Sequence, residues 1–178
     1  PSGKTSTVKA IDTFAGEVDN AFAPMSVTIR LDDEIDVSRG DVITRVGEET
    51  DTGRQFDAMM VWMSEKPLDT RKSYLIKHGS QYLRAELSTV HFRVDLDELS
   101  NAPADELALN DIGAVSVTCH REIPHDSYIA NRSTGAFVVI DSLTNETVAA
   151  GMITELAAAD RADDGTEVLD RPHSGVSP

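Results

Sequence analysis

Gly3-Lys4-Thr5 spells the last three letters of a phosphate-binding loop, in which backbone amides and a lysine hold a nucleotide's phosphates and a Thr or Ser hydroxyl reaches Mg²⁺. That chemistry needs a second glycine upstream, a strand before the loop and a helix after it. The chain instead continues as "TSTVKAI", which alternates Thr5, Thr7 and Lys9 against Ser6, Val8 and Ala10. Its β-branched residues favour a strand, and "PSG" reads as the turn entering it. The companion motifs D-x-x-G and N-K-x-D occur nowhere in the chain. The triplet is therefore expected to be a strand entry, with no nucleotide or cofactor site in this chain.

Three other stretches carry reactive side chains. "SRGD" (38–41) contains an Arg-Gly-Asp tripeptide, and its position between Val37 and Val42-Ile43 predicts a tight turn between strands. "TCHREIPH" offers Cys119, His120 and His125, but neighbours on a strand point to opposite faces, and zinc needs four ligands converging on one point. No metal site is expected, and Cys119 is expected in the core. No Ser–His–Asp constellation can be assigned, and the acids are spread over surfaces and turns, so no catalytic residue is expected. The one segment with the profile of a recognition loop is "IANRSTGAFVVID". Arg132 lies in a polar turn, Asn131 to Gly135, before the apolar run "AFVVI", and Thr134-Gly135 permits a tight backbone reversal. The reading of this turn stays open between a hairpin with a solvated arginine and a contact surface made by Asn131, Arg132, Thr134 and Gly135. Loops on a rigid barrel commonly carry recognition, and arginine's planar fork suits it.

These residues must be positioned by strands. "MSVTIRL" puts Met25, Val27, Ile29 and Leu31 on one side; "QFDAMMVWM" puts Phe56, Ala58, Met60 and Trp62 on one face and Met59, Val61 and Met63 on the other, predicting burial on both. "YLRAEL" alternates Leu83, Ala85 and Leu87 against Arg84 and Glu86, and "VHFRVDL" alternates Val90, Phe92, Val94 and Leu96 against His91, Arg93 and Asp95. "GAVSVTC", "GAFVVID" and "TVAAGMI" complete the series, and Gly, Asp and Asn turn signals separate the runs. The pattern predicts an all-β chain of two small antiparallel units. Residues 1–47 are too small to bury much surface alone, and either pack on the second unit or have their other half upstream. A linker follows at 48–53, then a closed barrel over 54–155 with Phe56, Trp62, Phe92, Phe137 and Ile140 mostly buried, and an acidic flexible tail at 156–178.

Bulk composition narrows the function classes. A net charge of −15 argues against nonspecific nucleic-acid binding and against adsorption to anionic lipid. One cysteine excludes an internal disulfide and fits a reducing compartment. No apolar run approaches the ~18 residues of a membrane span, and no signal peptide is visible.

The order of segments says more than any motif. "PSGKTSTVKAIDTFAGEVDNAFAPMSVTIRLDDEIDVSRGDVI" resembles the latter half of the second domain of the sulfate-activating GTPases, the large subunit of sulfate adenylyltransferase. That subunit also occurs as the front of a bifunctional protein with adenylylsulfate kinase. "FDAMMVWMSEKPLDTRKSYLIKHGS" resembles the opening of the family's third domain, and the segment from "VDLDELSNAPADEL" to "TVAAGMI" resembles its close. The resemblance spans about residues 1–153. It implies that residues 1–47 are the end of a first β-barrel that is incomplete here, and a cytoplasmic role in coupling GTP hydrolysis to formation of adenylylsulfate and pyrophosphate from ATP and sulfate. It implies GTP and Mg in a GTPase domain that this sequence does not contain. The implied partners are that GTPase domain, the small adenylyltransferase subunit and, in the bifunctional form, a fused kinase. Barrels of translation factors such as elongation factor Tu, which bind aminoacyl-tRNA, share the architecture but diverge in these strings. A stand-alone barrel module is the other alternative.

Overall fold

Ten strands and no helix are built by the residues that the structure, a computed structural model, describes: 3–48 and 50–154. The acidic segment 156–178 lies outside them.

The first unit is a three-stranded antiparallel sheet in the order β2-β1-β3, with β1 at Val8–Thr13, β2 at Gly16–Val18 and β3 at Thr28–Leu31. Thr13-Phe14-Ala15-Gly16 turns β1 into β2, with Gly16 at φ 122, a conformation other residues resist. Arg30 on β3 reaches across β1, donating from Nε to Asp12 Oδ2 at 2.6 Å and from Nη2 to Glu17 Oε2 on β2 at 2.7 Å. The exposed pair adds register more than stability. A strand does come after Gly3-Lys4-Thr5, as the β-branched run predicts.

The apolar side of this sheet is uncovered. Ala10 is its buried residue, whereas Phe14, Phe22, Ile29 and Val46 stand in solvent, and Met25 is exposed despite its place in the alternation. Val37, Val42 and Ile43 flank the 38–41 turn outside any strand and are exposed too. Unpaired edges and few buried contacts make a region open first. Amide hydrogen exchange is therefore expected to be faster over 3–47 than over 54–154; equal protection in the two would contradict an uncovered first sheet.

The second unit is a closed barrel. Strands β4 (Asp51–Trp62), β5 (Ser73–His78), β6 (Gln81–Asp95), β8 (Ile112–His125), β9 (Ala136–Ile140) and β10 (Thr147–Thr154) are ordered β5-β9-β10-β4-β8-β6, and β5 pairs with β6 to close the ring. Every pairing is antiparallel, and the short β7 (Ser100–Ala102) hangs on β6. Closure removes the edges of all six strands. β4 begins at Asp51, inside the stretch 48–53 that the sequence marks as a linker, because Asp51, Thr52 and Gly53 pair with His125, Pro124 and Ile123 of β8.

Alternation places the core. Phe56, Ala58, Met60 and Trp62 point inward from β4, Leu83, Ala85 and Leu87 from β6, and Val115 and Val117 from β8. Of the five residues expected inside, Phe56, Trp62 and Phe137 are buried, while Phe92 and Ile140 are half-buried. The outward face of β4 is not buried: Met59 and Val61 are half-exposed and Met63 is exposed, since no second layer covers the barrel wall there. Leu107 plugs one end, its carbonyl accepting from Leu68 N at 2.9 Å.

The pairing register sorts the loops to two ends. Trp62 opposes Ala149, Val61 opposes Ile112, and Gly113 opposes Arg93. The segments 63–72, 96–111 and 141–146 thus share one rim. The turn at 79–80, the connection 126–135 and the start of β4 share the other.

Candidate functional site

The sequence-marked turn Asn131–Gly135 lies on that second rim, within the connection 126–135. It is not a hairpin: β8 and β9 are not neighbours, so the chain crosses the barrel mouth past the end of β10. Small polar residues make the crossing rigid. Asn131 N donates to Ser127 O at 3.0 Å, its Oδ1 accepts from Ser133 N at 3.1 Å, and its carbonyl accepts from Gly135 N at 2.8 Å. Tyr128 N donates to Ile153 O and Ile153 N to Gly135 O, each at 2.8 Å, which bolts the loop to β10. Thr134 Oγ1 donates to Asp126 Oδ2 at 2.5 Å, and its carbonyl meets Nε2 of the buried His78 at 2.7 Å. A carbonyl can only accept, so His78 carries its proton on Nε2.

The four candidate residues thus divide. Gly135 is buried and Thr134 half-buried, both used inside the loop, while Asn131 and Arg132 are exposed. The Arg132 guanidinium sits over the Tyr128 ring, 5.8 Å from its centroid, a cation–π contact that leaves its fork turned to solvent. Ile129 beside it is 94% exposed. The loop thus presents an oriented arginine next to an exposed apolar side chain, with no nucleophile or general acid–base pair among its residues.

The same rim joins the two units. In the 38–41 turn, Asp41 N donates to Ser38 O at 3.0 Å and Gly40 lies at φ 102. Gln81, at the start of β6, donates from Nε2 to Gly40 O at 2.5 Å, while its Oε1 accepts from Arg121 Nη2 at 2.9 Å. A side chain at position 40 would occupy the place of the Gln81 amide. The Arg-Gly-Asp tripeptide is thus a turn held against the barrel through Gly40, with Arg39 and Asp41 exposed.

One polar cluster escapes the sequence. Asp57 on β4, Ser116 on β8 and His91 on β6 meet on the outer wall, with Ser116 Oγ donating to Asp57 Oδ1 at 2.7 Å and lying 2.7 Å from His91 Nε2. The residue types are those of a nucleophile triad, but the order is wrong. The serine donates its hydrogen bond to the carboxylate, so His91 Nε2, 3.5 Å from the same carboxylate oxygen, must donate to the serine. The cluster fastens three strands. Cys119, His120 and His125 do not converge: Cys119 is buried, with its thiol pushed up to about 11 by desolvation, His120 is exposed beside Glu86 at 3.8 Å, and His125 packs on Phe56 at 5.2 Å between ring centroids. No group of His, Cys, Asp or Glu able to hold a metal occurs among the described residues.

A six-stranded antiparallel barrel crossed by a rigid loop and tied to a small β-sheet is the architecture of the β-barrel domains of translation-factor-type GTPases. The chain belongs to the GTP-eEF1A C-terminal domain-like family, whose model matches residues 55–154. It is related along its length to sulfate adenylyltransferases. It is 42% identical over 181 residues to sulfate adenylyltransferase subunit 1 of Bacteroides fragilis, covering 100% of this chain and 38% of that protein. It is 45% identical over 165 residues to the subunit 1 of Teredinibacter turnerae, covering 93% and 35%. It is 44% identical over 155 residues to the bifunctional enzyme CysN/CysC of Rhodopirellula baltica, covering 87% of this chain and 24% of that one. The chain spans between a quarter and two fifths of the length of these relatives. Among solved structures, Sup35 complexed with GDP superposes with a TM-score of 0.73 at 16% identity, over 85% of this chain and 38% of that one, and shares the fold.

Proposed function

We propose that the chain is the C-terminal β-barrel portion of the GTPase subunit of sulfate adenylyltransferase, in the cytoplasm, and that it holds domains and subunits together without doing chemistry itself. The observation that carries this is identity above 40% over nearly the whole chain to proteins of that name. The uncovered apolar face of the first sheet agrees, since it suits the missing half of a second barrel. GTP and Mg belong to a GTPase domain outside this sequence. Adenylyl transfer from ATP to sulfate belongs to a small subunit, and in the fused form an adenylylsulfate kinase shares the polypeptide of the GTPase subunit. Coupling between them requires an interface with two arrangements that the nucleotide biases.

Titrating the purified chain with GTP tests the division of labour. No saturable binding and no GTP-dependent pyrophosphate release are expected; either one would sink the proposal.

The loop 126–135 is the contact surface this function needs, toward another domain or the small subunit. Arg132→Ala in a full-length subunit is expected to weaken small-subunit binding or GTP-stimulated adenylyl transfer by at least ~1 kcal/mol, the usual mark of an energetically significant interface residue. Unchanged binding and coupling in a folded variant would reduce the loop to a crossover.

A further inference from the structure

We propose that the opposite rim of the barrel, formed by the segments 63–72, 96–111 and 141–146, is a second docking surface, and that its occupant is a separate protein subunit presenting an apolar notch bordered by lysine and arginine. This rests on the function proposed above, in which the chain belongs to one subunit of a heteromer.

Three leucines stand out from this rim: Leu96 is 61% exposed, Leu99 82% and Leu143 83%. A single exposed leucine is ordinary, but a group of them at one end of a domain marks an interaction site. Leu99 also lies at φ 51, the left-handed region that a leucine enters only with strain. The chain accepts both strain and exposure at this residue and gains no internal packing from it. Such a combination belongs where the surroundings have a use for it.

Both leucine tips are rigid. Asp95 Oδ1 accepts from Asp97 N at 2.9 Å and Glu98 N at 3.1 Å, which pins the turn that carries Leu96 and Leu99. Asp141 Oδ1 accepts from Leu143 N at 2.8 Å and Thr144 N at 3.1 Å, which pins the other. Fixed apolar side chains bind with less ordering cost than mobile ones. Both tips stand on the same rim of one closed six-stranded ring, so a single partner surface of ordinary size can reach both.

Charge selects the partner. Segments 63–72, 96–111 and 141–146 carry nine carboxylates against three lysines and arginines, so a facing surface rich in cations is favoured and an acidic one is repelled. Nucleic acid and anionic lipid are excluded by the same balance.

The test uses a full-length subunit containing this chain and the purified small adenylyltransferase subunit, with binding measured by titration calorimetry. Two variants are compared with the wild type: Leu96→Ser with Leu99→Asn, and Leu143→Ser. Asparagine tolerates the left-handed backbone, so the first variant should fold at least as well. Binding at least about tenfold weaker, with an unchanged or higher thermal midpoint, is the expected result. Wild-type affinity should also fall with added salt as the rim charges are screened. Wild-type affinity in both variants would overturn the docking surface and leave the proposed function standing. A large drop in thermal midpoint would also overturn it, by making the leucines structural. Failure of the wild type itself to bind would overturn both.

Discussion

Trp62→Ala is expected to destabilise the barrel by about 4 kcal/mol, within the ~3–5 kcal/mol usual for truncating a buried tryptophan. The ring is 1% exposed at the end of β4, edge-on to Tyr74 with centroids 6.0 Å apart and planes at 86°. Its Nε1 donates to Lys66 O at 2.7 Å and so closes the connection after β4. Truncation would open a cavity beside Met60 and leave that carbonyl without its partner. Because domains of this size are stable by only ~5–15 kcal/mol, the variant should be close to unfolding at physiological temperature. Urea denaturation followed by circular dichroism checks this. Trp62→Phe should lose the hydrogen bond but keep most of the volume, and so fall by less than half as much. A loss below ~1 kcal/mol for Trp62→Ala would mean that the barrel end is not packed as described.

Gly135→Ala is expected to cost about 3 kcal/mol, at the upper end of ordinary overpacking. The backbone conformation is not the obstacle. A Cβ at this position would meet Tyr128 Cα at 2.5 Å, Tyr128 N at 2.6 Å and Asn131 O at 2.8 Å. All three are backbone atoms of the same loop, so no rotamer change can relieve the contact. Moving Tyr128 breaks its hydrogen bond to Ile153 O, and moving Asn131 breaks the bond it accepts from Gly135 N. The variant should also release Arg132 from Tyr128, which heteronuclear NMR of the loop would show as lost order. Ser133→Ala, at an exposed position in the same loop, should stay within ~0.5 kcal/mol of the wild type. Equal stability of Gly135→Ala and Ser133→Ala would contradict the rigid crossover.

Much of the barrel was legible because its strands alternate and its interior is contiguous. β6 runs buried, exposed, buried from Leu83 to Leu87, as "YLRAEL" is written. The same rule misled at Met25 and Ile29, which alternate as if covered but face solvent. Periodicity reports that a face is apolar, not that a partner layer is present. It also broke after Val90, where a register shift between Val90 and Phe92 displaces the pattern and leaves Leu96 outside. The boundary at Asp51 was hidden because its pairing partner, His125, lies far along the chain.

The candidate loop was visible in the composition of "NRSTG", yet its form was not. A turn signal fixes a local reversal and carries no information on which strands it joins. The cluster of Asp57, Ser116 and His91 could not be read at all, since three residues spread over 59 positions meet only through the register of β4, β8 and β6. The tie from Gln81 to Gly40 was invisible for the same reason, spanning 41 positions between the two units.

Whether this chain serves a GTPase subunit of sulfate adenylyltransferase is decided by pyrophosphate release from ATP and sulfate, using the full-length polypeptide that contains this chain mixed with the small subunit, with and without GTP. Release that GTP accelerates and that disappears when the polypeptide is omitted is expected. Release indifferent to GTP and to the polypeptide would contradict it.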